Sequence, residues 1–329
     1  MLIPHNLSPR FQEPLALADM GSLFVGGRDI SVQNQPLVEI DVNKDSGRPI
    51  TIDPNGQYHV EHMYCQFFAP ASLESRYPLL LWHGGGMTGA TYESTPDGRP
   101  GWLSYFLRRG WKTYLCDAVE RGRSGWAPRD RLFQEEAPTQ VAKHYAFERY
   151  RLGPSYASGL PYPGSRFPMD RYDQFIMQFV PRWTNTNHAT VDAYAALLEE
   201  VGPSVIVGHS QGASLAFQVM ARVPHLVKAL VAVEPYAVAE AGQIQSIAHI
   251  PVLVVLGDRM EEHPAWAESK RRSLAFLDAF AQNGGNGSLL DLPTRGVRGN
   301  SHMMMMESNN YDIADMIQQW LESQGLAKT

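Results

Sequence analysis

Residues 208–212, Gly-His-Ser-Gln-Gly, constrain this 329-residue chain more than any other stretch. The run before them, Pro203-Ser204-Val205-Ile206-Val207, is short, apolar and β-branched, as a buried strand requires. The run after them, Ala213 to Arg222, is helix-compatible and stops ahead of Pro224. A strand must therefore turn into a helix within the pentapeptide. Gly208 and Gly212 remove Cβ atoms that would clash in so sharp a turn, and Ser210 is left at its apex in a strained conformation. At the first turn of a helix, free N–H groups and the helix dipole favour negative charge. The pattern is G-x-S-x-G, which presents a serine as a nucleophile. The N–H of Gln211 then faces a developing oxyanion. An ordinary glycine-flanked turn is the plain alternative, and the strand and helix flanks argue against it.

The rest of the chain supplies matching elements. Leu23-Phe24-Val25 and Asp29-Ile30-Ser31-Val32 flank Gly26-Gly27 and predict a hairpin. Strands are expected at Tyr58 to Phe68, Tyr77 to Trp82, Lys112 to Asp117, Val205 to Val207, Ala229 to Val233, Val252 to Leu256 and Ser288 to Leu292. Helices are expected at Trp102 to Arg109 and at Ile313 to Leu321. Early strands that pair as hairpins, then strands alternating with helices, predict a mostly parallel sheet covered on both faces, in a single α/β domain spanning 1–329. The first 20 residues read as an arm lying on that domain. One spacing is abnormal: about 85 residues separate Asp117 from Ser204, far more than one crossover needs. His188 to Glu200 supplies the crossover helix, so Trp126 to Asn187 is an insertion. It is rich in Pro, Tyr, Phe, Trp and Arg, and aromatic residues outside a core need something to cover. We read 126–187 as a cap over the site rather than a surface excursion. The run Met303 to Met306 is too short to interpret.

Composition narrows the function. The net charge is −6, and no basic stripe suits a nucleic acid. Met1 to Gly26 lacks the basic start and apolar core of a signal peptide, which predicts a cytoplasmic protein unless a leader has been removed. No apolar run approaches the roughly 18 residues of a membrane span. The two cysteines, Cys65 and Cys116, form neither a metal motif nor a disulfide framework. Both fall in expected strands, so buried free thiols are expected, with a single bridge left open. No H-E-x-x-H pattern or Cys/His cluster points to a metal, and no cofactor is expected. The expected partner is a small molecule, with neither nucleic acid nor membrane, and with a homodimer left open.

A serine nucleophile needs a base. Of 11 histidines, His302 alone follows residue 263, in the glycine-bearing loop Arg298-Gly299-Asn300-Ser301-His302-Met303. In α/β-hydrolases the order is Ser, acid, His, with the His after the last strand, which selects His302. His225, His249 and His263 come too early. Trp82-His83-Gly84-Gly85-Gly86 follows a strand as an HGGG-type loop does, so Gly85 or Gly86 is the second oxyanion donor beside Gln211. His83 is expected to brace that loop, and His209 to pack beside the serine. Two carboxylates end strands at suitable places: Glu234 after Ala229 to Val233, and Asp258 after Val252 to Gly257. Position in the chain favours Asp258, whose alternative role is a loop brace. Tyr92, Trp126, Trp183, Tyr236 and Trp266 are candidate pocket walls, although core packing explains any one of them equally well.

Longer motifs carry a family resemblance. His83-Gly84-Gly85-Gly86-Met87-Thr88-Gly89, Glu93 to Arg99, Gly101-Trp102, Arg121-Gly122-Arg123-Ser124, His209-Ser210-Gln211, Val233-Glu234-Pro235, Gly257-Asp258 and Gly299 to Met305 resemble a group of atypical bacterial esterases that includes the Alcaligenes esterase 713 type. The resemblance covers about residues 20 to 325 and is weakest in the insertion. It implies the α/β-hydrolase fold and a Ser210–His302–Glu234 triad, with Asp258 as the alternative acid. Some members carry adjacent cysteines where this chain has Gly85 and Gly86. The implied activity is that of a serine esterase on a hydrophobic or aromatic ester, through an acyl-enzyme. Lactone hydrolysis, C–C bond cleavage and acyl transfer use the same triad and stay open, because a fold and a nucleophile do not fix the acyl group. A non-catalytic binding protein on this fold would be expected to lack one of these groups.

Overall fold

The structure is a computed structural model that describes residues 14–41, 47, 49–127 and 137–328. The expected N-terminal arm lies mostly outside the described residues, as does part of the insertion. Ten strands are described in chain order: β1 (Leu17–Val32), β2 (Val38–Ile40), β3 (Ile50–Ile52), β4 (Gly56–Pro70), β5 (Leu79–Trp82), β6 (Thr113–Asp117), β7 (Ser204–His209), β8 (Val227–Val233), β9 (Val252–Leu256) and β10 (Gly287–Asp291). Eight form one sheet in the order β1-β4-β6-β5-β7-β8-β9-β10, and β2 pairs with β3 separately. β1, β4 and β6 pair antiparallel, and from β6 to β10 every pairing is parallel. The central strands β5, β7 and β9 are buried at every residue, as their unbroken apolar runs demand when both faces are covered.

The described helices are α1 (Trp102–Arg108), α2 (Lys143–Arg149), α3 (Tyr172–Ile176), α4 (Asn187–Val201), α5 (Gln211–Arg222), α6 (Ile244–Ile247), α7 (Pro264–Gln282) and α8 (Asn310–Ser323). One apolar layer joins the sheet to α1, α8 and the 140–180 segment, and the other joins it to α4, α5 and α7. The α/β-hydrolase architecture expected from the sequence is thus present.

Gly26-Gly27 does not make a hairpin. Leu17 to Val32 is one continuous strand along β4, with Gly26 opposite His62 and Arg28 opposite Val60. Both glycines have positive φ, 69° and 88°, inside the strand. A Cβ on Gly26 would lie 2.8 Å from Ala193 Cα in α4. Gly26 lets a helix approach the strand, while a Cβ on Gly27 would meet Val60 O of β4 at 2.7 Å, so the missing Cβ atoms serve packing and mimic a turn signal in sequence.

Cys65 and Cys116 stand opposite each other in β4 and β6. They are buried free thiols with their sulfurs 3.4 Å apart. The run Met303 to Met306 is wholly buried, in a short helical turn that packs against the core. Flexible thioethers fill an irregular space there, beneath the loop that carries His302.

Candidate active site

The parallel strands end along one edge, and backbone bonds tie each end to the next. Ser210 N–H donates to Val233 O (2.9 Å), Glu234 N–H to Val255 O (2.9 Å) and Asp258 N–H to Asn300 O (2.8 Å). Ser210 has φ 54° and ψ −115°, and Glu234 has φ 43°. Two non-glycine residues in such conformations, at adjacent strand ends, mark places where the surrounding structure imposes strain. Gly208 and Gly212 permit the turn at Ser210. A Cβ on Gly208 would meet Ala213 Cα at 2.8 Å, and one on Gly212 would meet Trp82 O at 2.7 Å.

His302 and Glu234 meet across the strand ends. The His302 Nδ1 to Glu234 Oε2 distance is 2.6 Å, and both side chains are buried. The other carboxylate oxygen, Oε1, accepts from Arg151 Nη2 (2.5 Å) and from Gly257 N–H (2.9 Å). Burial alone would raise the pKa of Glu234, but Arg151 and His302 outweigh it and hold the group down at about 2. Burial pushes the His302 imidazole below its ordinary range, against the pull of Glu234. The resting pair is therefore a carboxylate accepting from a neutral imidazole, which fixes the Nδ1–H tautomer and leaves Nε2 free of a proton.

Several groups hold the His302 ring and backbone. The Trp266 ring lies 4.1 Å from it, and the His209 ring 4.4 Å. His209 Nε2 is 2.9 Å from His302 O, and burial keeps His209 neutral, so Nε2–H donates. His302 N–H donates to Tyr150 O (3.1 Å).

Asp258 does not reach the imidazole. Its carboxylate accepts from the N–H groups of Arg259 (2.9 Å) and Gly299 (3.0 Å), so it braces the loop on which His302 stands.

The glycine loop after β5 faces Ser210. A Cβ on Gly84 would be 3.2 Å from Ser210 Cβ, and one on Gly85 would be 3.2 Å from Gln211 Oε1. His83 braces this loop: Nδ1 pairs with Gly84 O (2.8 Å), and Nε2 accepts from Ala118 N–H (3.0 Å). Burial and then Arg121 push the His83 imidazole down to about 4, so it stays neutral and serves both bonds.

The 126–187 segment contacts both loops. Val180 N–H donates to Gly86 O (2.9 Å), and Arg166 N–H donates to Gly299 O (3.0 Å). Its aromatic residues pack among themselves, with Tyr150 stacked on Phe179 and 5.0 Å from His302.

The five aromatic candidates separate. Trp266 packs on His302, with Nε1–H donating to Arg149 O. Tyr236 stands beside Trp266 and is 50% exposed. Trp126 is 52% exposed and packs edge-on against Trp183. Tyr92 is fully buried and donates to Trp82 O (2.9 Å), so it supports the glycine loop from within the core rather than lining a pocket.

Three contributors escaped the sequence reading. Arg151 and Arg182 lie in an insertion whose path no periodicity reveals. Glu307 is fully buried, and its carboxylate accepts from Asn300 Nδ2 (2.5 Å) and Ser301 N–H (2.6 Å). Its one sequence signal is a carboxylate that directly follows an apolar run. Burial raises it to about 7 against those hydrogen bonds, with Glu234 adding to the rise. An unfolded glutamate titrates near 4.5, so between those values the folded protein holds a proton that the unfolded chain has lost. Stability therefore falls as pH rises through that window, by up to about 3 kcal/mol. Glu307→Gln removes this titration. The Tm of the variant relative to the unsubstituted protein is expected to improve from pH 5 to about pH 7 and then level off, and parallel Tm profiles would contradict it.

Residues 77–270 match the alpha/beta hydrolase fold family, and the chain belongs to it. More narrowly, 95% of the chain aligns with 98% of a structure described as a novel bacterial esterase, at 35% identity and a TM-score of 0.84. The chain is also similar to the probable secreted lipase phiG of a fungal species (strain ATCC 74256), 26% identical over 334 residues that span 85% of this chain and 92% of that protein. A peroxisomal α/β-hydrolase of Saccharomyces cerevisiae shares the fold alone, with 12% identity, coverage of 94% and 90%, and a TM-score of 0.51. The chain is thus an enzyme of the α/β-hydrolase class, like the esterase and the lipase. Among the described residues no helix is long and apolar enough to cross a membrane.

Proposed function

We propose that the protein is a serine carboxylic ester hydrolase working through an acyl-enzyme, with Ser210 as nucleophile, His302 as base and Glu234 as the group that orients it. The observation that carries this reading is the 2.6 Å bond between His302 Nδ1 and a carboxylate held ionised, beside a serine on a strained strand-to-helix turn. The 35% identity to a bacterial esterase supports the choice of reaction. Ser210 Oγ bonds to the ester carbonyl carbon while its proton passes to His302 Nε2. The carbonyl electron pair moves onto oxygen, where the N–H groups of Gln211 and of the Gly85–Gly86 loop receive it. Gln211 is the first residue of α5, so its N–H has no acceptor within the helix. The C–O bond then breaks, and the alcohol leaves with the proton from His302. Water repeats the sequence on the acyl-enzyme and frees the acid. Glu234 stabilises the imidazolium formed in each half, and residues 126–187 act as a cap that shields the site.

A panel of p-nitrophenyl esters from acetate to decanoate tests this, and its optimum sizes the acyl pocket. Because burial lowers His302, the acid limb of kcat/KM is expected below the ordinary histidine value of 6.5. An inert panel, together with failure of a fluorophosphonate to label Ser210, would overturn the reading. An inert panel with labelling would move the substrate to a lactone, a C–C bond or an acyl acceptor.

A further inference from the structure

Two arginines adjoin the glycine loop, and neither has a carboxylate partner within ion-pair distance among the described residues. Arg182, from the 126–187 segment, donates from Nη1 to Gln211 Oε1 (3.2 Å). A Cβ on Gly85 would lie 2.7 Å from the same nitrogen, so the guanidinium rests on the glycine loop. Gln211 is itself fixed, since its Nε2 donates to Asn187 Oδ1 (2.7 Å). Thr139 and Arg182 exchange backbone hydrogen bonds of 2.8 and 2.9 Å, which sets the direction from which the side chain enters.

Arg121 belongs to the loop after β6, whose Ala118 N–H binds His83. It is 3% exposed, and its Nε and Nη1 meet no acceptor among the described residues. The Tyr194 hydroxyl, which interacts with it electrostatically, is likewise buried without a hydrogen-bond partner among the described residues. Burial and then the charge of Arg182 push Arg121 down to about 10, so the two cations repel each other. Glu120 offsets this only in part. A buried cation with two N–H groups unsatisfied is costly, and a second cation that repels it adds to the cost, unless an anion comes between them. Glycine at position 85 keeps the approach to Arg182 clear of a side chain.

We propose that Arg182, backed by Arg121, forms an anion subsite beside Ser210, so that the ester hydrolysed carries a carboxylate a few bonds from the scissile carbonyl. This deepens the esterase reading and rests on it. The aromatic walls hold the body of such an ester, and the guanidinium fork takes its carboxylate with geometry that a neutral group cannot match. The same cations offset the repulsion between that carboxylate and the oxyanion.

The test compares each acid with its neutral amide isostere. On the acyl side these are monoethyl succinate, glutarate and adipate against the corresponding ethyl ester amides. On the alcohol side they are acetoxyacetate and 3-acetoxypropanoate against their amides. At least one pair is expected to favour the acid by about tenfold or more in kcat/KM, and the side on which it does so gives the orientation. In Arg182→Gln that ratio is expected to fall towards one, and in Arg182→Lys to an intermediate value. In Ser210→Ala, the favoured acid is expected to raise Tm in a saturable way that Arg182→Gln abolishes. Ratios at or below one in every pair, or ratios untouched by both Arg182 substitutions, would overturn the subsite. Inertness towards all of these esters and the p-nitrophenyl panel, with the Tm shift retained, would instead overturn the esterase reading and leave the subsite standing.

Discussion

Ser210→Ala is expected to lower kcat by about 10⁴-fold or more on any ester the protein turns over. The substitution removes one oxygen from the apex of the turn. It leaves the backbone bonds from Ser210 N–H to Val233 O and from Ser214 N–H to Ser210 O in place. Ser210 is already at a φ of 54°, and alanine tolerates that position no worse than serine, so Tm should change little. Loss of activity with the fold intact isolates the nucleophile. What survives is the contribution of the oxyanion donors and of binding, which act on direct attack by water. A variant within about tenfold of the unsubstituted protein would remove Ser210 from the chemistry.

Glu234→Gln carries the second large effect and decides between the two candidate acids. The amide keeps the shape of the side chain but brings N–H donors to a site with three demands for an acceptor. Those demands come from His302 Nδ1–H, Arg151 Nη2 and Gly257 N–H. If the amide nitrogen faces His302, the imidazole must adopt the other tautomer and its Nε2 can no longer take the serine proton. If it faces Arg151, a buried guanidinium loses its counter-charge. A fall in kcat of about 10³-fold or more is expected, together with a lower Tm. Asp258→Asn keeps one acceptor for the Arg259 and Gly299 N–H groups and never touches the imidazole, so its kcat should stay within about tenfold. The reverse pattern would hand the role of acid to Asp258. Measuring Tm for each variant separates loss of chemistry from loss of fold.

The two acids also mark where sequence reasoning stops. Both end an apolar strand in the same layer of the sheet, so strand periodicity ranks them equally, and position in the chain prefers Asp258. The family resemblance implies Glu234. In the structure it is Glu234 that meets His302, because its left-handed backbone turns the side chain towards the next loop. Gly26-Gly27 teaches the same lesson in reverse. A glycine pair between two apolar runs predicts a turn, yet Gly26 packs on a helix that lies far off in the chain and Gly27 on the neighbouring strand. Tyr92 was as good a pocket candidate as Trp266 in sequence, and only the fold separates a core hydroxyl from a ring packed against His302.

By itself the sequence determined the parallel strands from β5 to β10, the Ser210 turn, the glycine loop and His302 as the candidate base. Each of these follows from local rules: apolar runs make buried strands, glycines open tight turns, and a histidine in the last loop of such a sheet has few places to go. Only the tertiary structure decided that Arg151 and Gly257 satisfy the second oxygen of Glu234, that Glu307 holds the His302 loop, and that Arg182 rests on Gly85 within the field of Arg121, neither arginine having a carboxylate ion-pair partner among the described residues. The reason is physical. The charge state and partners of a buried polar group depend on what is packed against it, and for Glu234 the deciding neighbour is Arg151, 83 residues away in the chain.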